Sequence, residues 1–275
     1  MMRENTMKMR MVVTDLDGTL LRSDKSVSER TVNVLRRLDD MDVKIAVATA
    51  RASRSVYKLV PSGFRNIYYI FYNGASVYYN NEEIYSRYID AVKAKEIVLW
   101  FLSRYPGIEI SLEMLGNLYT NFDIRKMESW FPPFEQVDFQ TLEFKPAGKI
   151  LVNLRYVGDI SEVYEFLPDD CRIIITDNGA LGQILNKDVS KAGGVKALAE
   201  VLGIGLDEVI SFGDDYNDIE MIRECGIGVA MGNAPQDIKD AADIITASND
   251  EDGVAIILEK LLENNMIISK SGFIW

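Results

Sequence analysis

Two aspartates, Asp15 and Asp17, stand two positions apart in Asp15-Leu16-Asp17-Gly18-Thr19, directly after the apolar run Met9-Arg10-Met11-Val12-Val13. Such a run reads as a short buried strand, and the glycine breaks it. The pair therefore falls at a strand's carboxyl end, where open α/β sheets place their ligands. Of two carboxylates so placed, one can attack an electrophile while the other moves a proton. Three further clusters suit the same edge. Thr49 follows the apolar stretch Lys44-Ile45-Ala46-Val47-Ala48, and Lys191 opens a helix in Val189-Ser190-Lys191-Ala192-Gly193-Gly194. Gly213-Asp214-Asp215-Tyr216-Asn217-Asp218 follows the strand-like segment ending at Phe212. Asp214, Asn217 and Asp218 are spaced i, i+3, i+4, so a helical turn puts them on one face. That turn lies at a helix N-terminus, where the macrodipole favours carboxylates. Asp15, Asp214 and Asp218 together suit a hard cation such as Mg2+.

These residues need a scaffold, and the hydrophobic pattern supplies one. Ser26-Val27-Ser28-Glu29 has capping-box spacing, with Val32, Leu35, Leu38 and Met41 following at helical intervals. Lys44–Ala48 and the apolar residues 67–71 read as a second and third strand, so the crossovers are right-handed and the sheet parallel. Near residue 80 the pattern changes to a hairpin around Asn80-Asn81. Beyond it come a helix over 91–104 capped by Asp90, strands near 108–112, 118–121, 149–155, 172–176 and 181–185, and a helix over 160–167. Strand and helix alternate again from a helix over 193–202 onward. The expectation is a doubly wound, mostly parallel, Rossmann-like α/β core over 1–82 and 187–275, with an α+β cap inserted over 83–186.

Composition narrows the function. The 275 residues are 48% hydrophobic and 26% charged, ordinary for a globular chain of one or two domains. Thirty Lys and Arg against 42 Asp and Glu give a net charge of −12, which disfavours nucleic acid as a partner. There is no histidine, which excludes Ser-His-Asp and Cys-His catalysis and His-based zinc sites. Cys171 and Cys225 belong to no CxxC pattern, the usage of a reduced, cytoplasmic protein. The first residues carry charge and no apolar h-region, so no signal peptide is expected. Nor does any apolar run reach the roughly 18 residues a membrane span needs. Trp130–Phe134 reads as packing aromatics rather than ligand contacts, and the terminal Gly272-Phe273-Ile274-Trp275 as packing against the core or an oligomer partner.

Taken in order, Asp-x-Asp-Gly-Thr, a strand-end Thr, a distant Lys and Gly-Asp-x-x-Asn-Asp resemble the four motifs of the haloacid dehalogenase superfamily. Asn73-Gly74-Ala75 and Met231-Gly232-Asn233-Ala234 resemble its Cof-like sugar-phosphatase branch, whose cap lies between the second and third motifs. One departure is Thr49-Ala50-Arg51 where the branch commonly has Thr-Gly-Arg; the hydroxyl is kept. The resemblance implies a phosphatase acting on a small phosphorylated metabolite, a sugar phosphate first. It implies Asp15 as nucleophile and Asp17 as general acid and base. The Asp15 carboxylate, the Asp17 backbone carbonyl and Asp214 would hold Mg2+. Thr49, Lys191 and Asn217 would bind the phosphoryl group, with Asp218 orienting Lys191 and a metal-bound water. A phosphotransferase or hexose phosphate mutase with the same intermediate stays open, as does a non-catalytic metabolite sensor.

Overall fold

The computed structural model describes residues 7–126 and 133–268. Residues 130–132 of the aromatic segment and the Gly272–Trp275 terminus lie outside them. The chain divides into two compact units, one of residues 1–51, 56–85 and 190–275, the other of 52–55 and 86–189.

In the first unit, eight strands form one sheet. Their spatial order is Ile244–Ile245, Ile227–Ala230, Val209–Gly213, Met11–Asp15, Lys44–Ala48, Ile67–Phe71, Ser76–Tyr79 and Glu82–Ser86. The first six run parallel, and an antiparallel pair joins Ile67–Phe71 to Ser76–Tyr79. Every residue of Met11–Asp15 is buried, as a central strand covered on both faces requires. One face packs Val13, Ala46 and Ile70 against Val195, Leu198 and Met221. Asp15 is the last residue of its strand, two positions beyond the end of the apolar run at Val13.

Helix Glu29–Asp40 starts from Ser28, whose Oγ accepts from the Thr31 N–H at 3.1 Å. The capping box expected at Ser26 is not formed. Ser26 instead donates its N–H to Asp24 Oδ1 at 2.9 Å, the self-closing turn that short polar side chains favour. At the helix end the Asp39 carboxylate accepts the backbone N–H groups of Arg65 and Asn66, both at 2.9 Å, pinning the segment that leads into Ile67–Phe71.

Lys191 opens helix Lys191–Leu202, as its place in the sequence suggests and two residues before the 193–202 span, because Ser190 Oγ caps it, accepting from Gly193 N–H. Gly203 closes it in the left-handed conformation. Its first turn lies against the Asn73-Gly74 bend. A Cβ on Gly74 would sit 2.0 Å from the Ser190 carbonyl oxygen, and one on Gly194 would sit 2.9 Å from the Gly74 Cα. Two glycines thus let the Lys191 turn approach the sheet at backbone distance.

The second unit has a sheet ordered Cys171–Thr176, Leu181–Asn186, Ala147–Asn153, Ile110–Met114, Asn117–Thr120 and Glu135–Gln136. Its pairings are antiparallel except the last. Ile110, Leu112, Ile150, Val152 and Ile184 share a core with Ile97, Val98 and Phe101 of helix Ala91–Arg104. Asp90 caps that helix through the Val92 N–H. The opposite face is polar, since side chains alternate along a strand. On it Arg54 forks onto Glu113 at 2.5 and 2.7 Å, and Lys149 stands opposite Glu113 in register. A cavity of about 600 Å³ is lined there by Ser111, Phe122, Ile124, Leu151, Asn153 and Arg155. No helix among the described residues is long and apolar enough to cross a membrane.

Two predictions follow from this packing. Gly63 and Gly74 both have positive φ, 94° and 102°, but nothing lies within 4 Å of a Gly63 Cβ. Gly63→Ala is expected to cost about 1–2 kcal/mol, and Gly74→Ala about 3 kcal/mol or more, in paired urea melts; equal losses would show that the close approach carries no weight. The second concerns Asp39, whose side chain is 6% exposed. Burial alone would raise its carboxyl, but the Arg65 and Asn66 donors outweigh this and hold it below the usual range. The stability it adds is therefore present above its unfolded pKa and lost as pH falls through the lower folded value. Asp39→Asn should cost about 1.5–3 kcal/mol at pH 7, and the gap to wild type should close below about pH 4.

Candidate active site

The strands carrying Asp15, Thr49 and Asp214 are immediate neighbours, so their carboxyl ends form one continuous edge. Asp15 ends Met11–Asp15, Thr49 follows Ala48, and Asp214 follows Gly213. Lys191 arrives from the side as the first residue of its helix.

Lys191 joins this edge. Its Nζ donates to Asp15 Oδ1 and to Asp218 Oδ1, each at 2.6 Å, and all three side chains are buried. Asp218 Oδ2 accepts the backbone N–H groups of Asp214 at 3.0 Å and Asp215 at 3.1 Å. Both Asp218 oxygens are thereby committed. The expected helical turn over 214–218 is a 3-10 turn, Tyr216–Asp218, and the α-helix starts only at Ile219. Asp218 reaches back over that turn, and a Cβ on Gly213 would lie 2.4 Å from its Cβ. Only a glycine fits before Asp214.

Asp214 is fixed from both sides. Thr19 Oγ donates to its Oδ1 at 2.7 Å, while Asn233 Nδ2 donates to its Oδ2 at 3.2 Å and to the Gly18 carbonyl at 2.9 Å. Gly18 has φ +83°, and a Cβ there would lie 2.2 Å from Asp214 Oδ2. Neither Thr19 nor Asn233 is singled out by spacing. Thr19 lies inside the first motif without a role of its own, and Asn233 comes from a loop 19 residues beyond Asp214.

One oxygen from each of Asp15, Asp214 and Asp218 lies within 4.8 Å of the others. Burial pushes the Asp15 carboxyl up to about 8, with Asp218 and Asp214 adding to the rise and Lys191 opposing it. Burial likewise pushes Asp214 up to about 6. Burial works against the charge on Lys191, but Asp15 and Asp218 outweigh it and raise its proton affinity. Three carboxylates thus share one ammonium, an excess of negative charge in a poorly hydrated place. The donors are hard oxygens, and Asp15 Oδ2 accepts no hydrogen bond from the described residues, which fits a divalent cation that keeps several waters.

Asp17 does not join the cluster through hydrogen bonds. Arg51 forks onto it, Nε to Oδ2 at 2.5 Å and Nη2 to Oδ1 at 2.6 Å, and Lys25 reaches Oδ1 at 3.1 Å. Burial would raise this carboxyl, but Arg51 and then Lys25 hold it below the usual range. Thr49 is buried, its Oγ accepting from the Arg51 N–H at 3.1 Å. Asn217 is exposed, and its amide donates to Asn73 Oδ1 at 3.1 Å rather than to the carboxylates. Asn73 itself sits in the left-handed region at φ 58°.

Comparison with known proteins agrees with this geometry. Residues 12–258 match the haloacid dehalogenase-like hydrolase family. A putative phosphatase of Haemophilus influenzae is 31% identical, over 90% of this chain and 97% of its own length. The 5-amino-6-(5-phospho-D-ribitylamino)uracil phosphatase YitU of Bacillus subtilis is 27% identical, over 91% and 96%. Among solved structures, TM0651 from Thermotoga maritima superposes with a TM-score of 0.80 at 26% identity, over 92% of this chain and 97% of that one. The subclass IIB sugar phosphatase BT4131 gives 0.73 at 25%, over 94% and 99%. A carboxylate-lined edge of a parallel sheet, a buried lysine and a match running nearly end to end lead to one conclusion: the chain belongs to the haloacid dehalogenase-like hydrolase family, among its phosphatases.

Proposed function

We propose that this protein hydrolyses a small phosphorylated metabolite, a sugar phosphate first, through an aspartyl-phosphate on Asp15 with Mg2+ as cofactor. The observation that carries the reading is the buried Lys191 held between Asp15 and Asp218, with Asp214 alongside. A lone buried lysine is costly, and this one supplies positive charge beside a carboxylate that has an oxygen to spare. Asp15 Oδ1 takes the lysine, while Oδ2 accepts no hydrogen bond from the described residues and is the atom to attack phosphorus.

The steps then assign themselves by chemistry. Asp15 bonds to phosphorus as the ester oxygen departs, and Asp17 gives that oxygen a proton. In the second half Asp17 takes a proton from water, which attacks phosphorus and frees the Asp15 carboxylate and inorganic phosphate. Lys191 and the Thr49 hydroxyl face the charge that spreads over the phosphoryl oxygens. Asp218 keeps Lys191 aimed, and Asn217, held by Asn73, stands at the rim of the same edge. The Asp15 and Asp214 carboxylates, with the Asp17 backbone carbonyl, would hold Mg2+. When bound, the ion neutralises the phosphoryl charge and the carboxylate excess.

The metabolite class rests on the relatives. They include phosphatases of a ribitylamino-uracil phosphate and of phosphoglycolate, and a subclass IIB sugar phosphatase. Selection among such substrates is assigned to the inserted segment, 83–186, whose sheet carries charge on its polar face. The two unpaired cysteines, Cys171 and Cys225, accord with a reducing, cytoplasmic setting.

The test is phosphate release from sugar phosphates, nucleotides, pyridoxal phosphate and an aryl phosphate, with Mg2+ and with EDTA. Release should need the metal, and Asp15→Asn should lower kcat by about 10³-fold or more with its circular dichroism unchanged. An isomeric sugar phosphate in place of free phosphate would point to transfer; binding without turnover would point to a sensor. Metal binding should also depend on pH. Burial raises the Asp214 and Asp15 carboxyls, so protons compete with the metal as pH falls. The Mn2+ dissociation constant, read by electron paramagnetic resonance, should rise steadily from pH 8 to 5.5; a flat profile would show that these carboxylates do not hold the ion.

A further inference from the structure

Resting on the phosphatase reading, one contact remains at odds with it. An acid that must hand a proton to a leaving oxygen needs an oxygen of its own that is not tied to a cation. Asp17 has none to spare: its Oδ2 is taken by Arg51 Nε at 2.5 Å, and its Oδ1 by Arg51 Nη2 at 2.6 Å and Lys25 at 3.1 Å. A planar guanidinium on both oxygens is a strong, bidentate clamp on a carboxylate. In this arrangement Asp17 is held, and it is not positioned to act.

The clamp is built next to the place where a competing anion would arrive. Arg51 donates its own backbone N–H to Thr49 Oγ at 3.1 Å, so the guanidinium and the phosphoryl-binding hydroxyl share one three-residue loop. The loop is anchored by its backbone: Thr49 N–H to the Ile70 carbonyl at 2.8 Å, Asn73 N–H to the Thr49 carbonyl at 2.9 Å and Tyr72 N–H to the Arg51 carbonyl at 3.2 Å. Its backbone is fixed while the Arg51 side chain, 27% exposed, has room to turn. A phosphoryl group offers the guanidinium the same two-oxygen match that Asp17 does, with more charge.

We propose that Arg51 is an exchangeable clamp: it holds Asp17 in the resting enzyme and transfers its fork to the phosphoryl oxygens of the bound substrate, which frees Asp17 for proton transfer. Oδ2 is the oxygen released, because Arg51 is its only partner among the described residues. Lys25, mostly exposed, keeps a looser hold on Oδ1. Binding of a phosphate group and readiness of the acid are thereby linked, and the acid stays masked until a phosphate arrives. No covalent bond is made or broken in the exchange; the two Arg51–Asp17 hydrogen bonds are redistributed.

The experiment measures the affinity of inorganic phosphate by calorimetry, with Mg2+ present, for wild type, Asp17→Asn, Arg51→Ala and the double variant. If Asp17 and phosphate compete for Arg51, Asp17→Asn should bind phosphate about 10-fold more tightly than wild type, and Arg51→Ala about 10-fold more weakly. The gain from Asp17→Asn should vanish once Arg51 is absent. Arg51→Lys keeps the charge without the fork; it should fall between wild type and Arg51→Ala, and it replaces Arg51→Ala if that variant does not fold. Turnover gives a second readout: Arg51→Ala should raise KM for alkyl and aryl phosphates alike and leave the ratio of their kcat values near that of wild type. The proposal is overturned by an equal Asp17→Asn gain with and without Arg51, by unchanged phosphate affinity in Arg51→Ala, or by wild type that binds no phosphate. It is overturned as well if Arg51→Ala lowers kcat on alkyl phosphates far more than on aryl ones, for then Arg51 stays on Asp17 throughout. Wild type that binds phosphate yet releases none from any ester would defeat the phosphatase reading and leave the binding comparison to decide the exchange.

Discussion

The ammonium of Lys191 between Asp15 and Asp218 is the interaction on which the rest of the active unit depends. Three ionisable groups are withdrawn from water at this point, and each costs several kcal/mol to desolvate alone. The two short contacts offset that cost only if the lysine arrives at one position and one angle. Its helix must therefore begin at Ser190, cross the Asn73-Gly74 bend at backbone distance, and keep Gly194 where any larger residue would collide. The requirement passes on to Asp218, whose second oxygen is held by two backbone N–H groups and whose Cβ leaves room only for Gly213. Three glycines and a serine cap around one edge thus answer to a single buried charge.

Most of this was legible in the residues because the sheet brings strand ends together without further instruction. Three short apolar strands each followed by a polar residue give Asp15, Thr49 and Asp214 a common edge, whatever the details between them. What spacing could not convey was direction. An i, i+3, i+4 pattern suggested one face of an α-helix, yet Asp218 reaches backward over a 3-10 turn to the N–H groups of 214 and 215. Ser26 and Ser28 both lie at plausible cap positions; the choice fell to Ser28 because Asp24 had already engaged Ser26. Long-range partners were silent for a simpler reason. Asn233 meets Asp214 and Gly18 only through tertiary structure, and no local rule marks an exposed asparagine as a support for a buried carboxylate.

The second unit shows a different limit. Five of its six strands were expected within two residues or so, since alternation marks the face that packs on Ile97, Val98 and Phe101, whereas the two-residue strand Glu135–Gln136 was not expected. The same alternation puts Ser111, Glu113 and Lys149 on the opposite face, but it does not say which strand lies beside which. The pairing of Lys149 with Glu113, and the fork from Arg54 some 59 positions away, depend on register across the sheet. Polar residues of this kind carry no motif because their meaning is set by neighbours, and they are the least readable part of the chain.

Asp15 and Asp17 finally show how one motif yields two environments. They lie two positions apart, and the strand ends between them. Asp15, still on the strand, is driven into the interior, where burial and two facing carboxylates raise its carboxyl. Asp17, past the end, meets Arg51 and Lys25, which together outweigh its partial burial and lower it. A pair of identical side chains is thereby pushed in opposite directions by a single backbone feature, the point at which the strand stops. Asp15 lies buried beside the Lys191 ammonium, while Asp17, partly exposed, is held by the Arg51 fork. The Gly18 turn makes this division possible, and its positive φ and close approach to Asp214 tie it to the carboxylate edge.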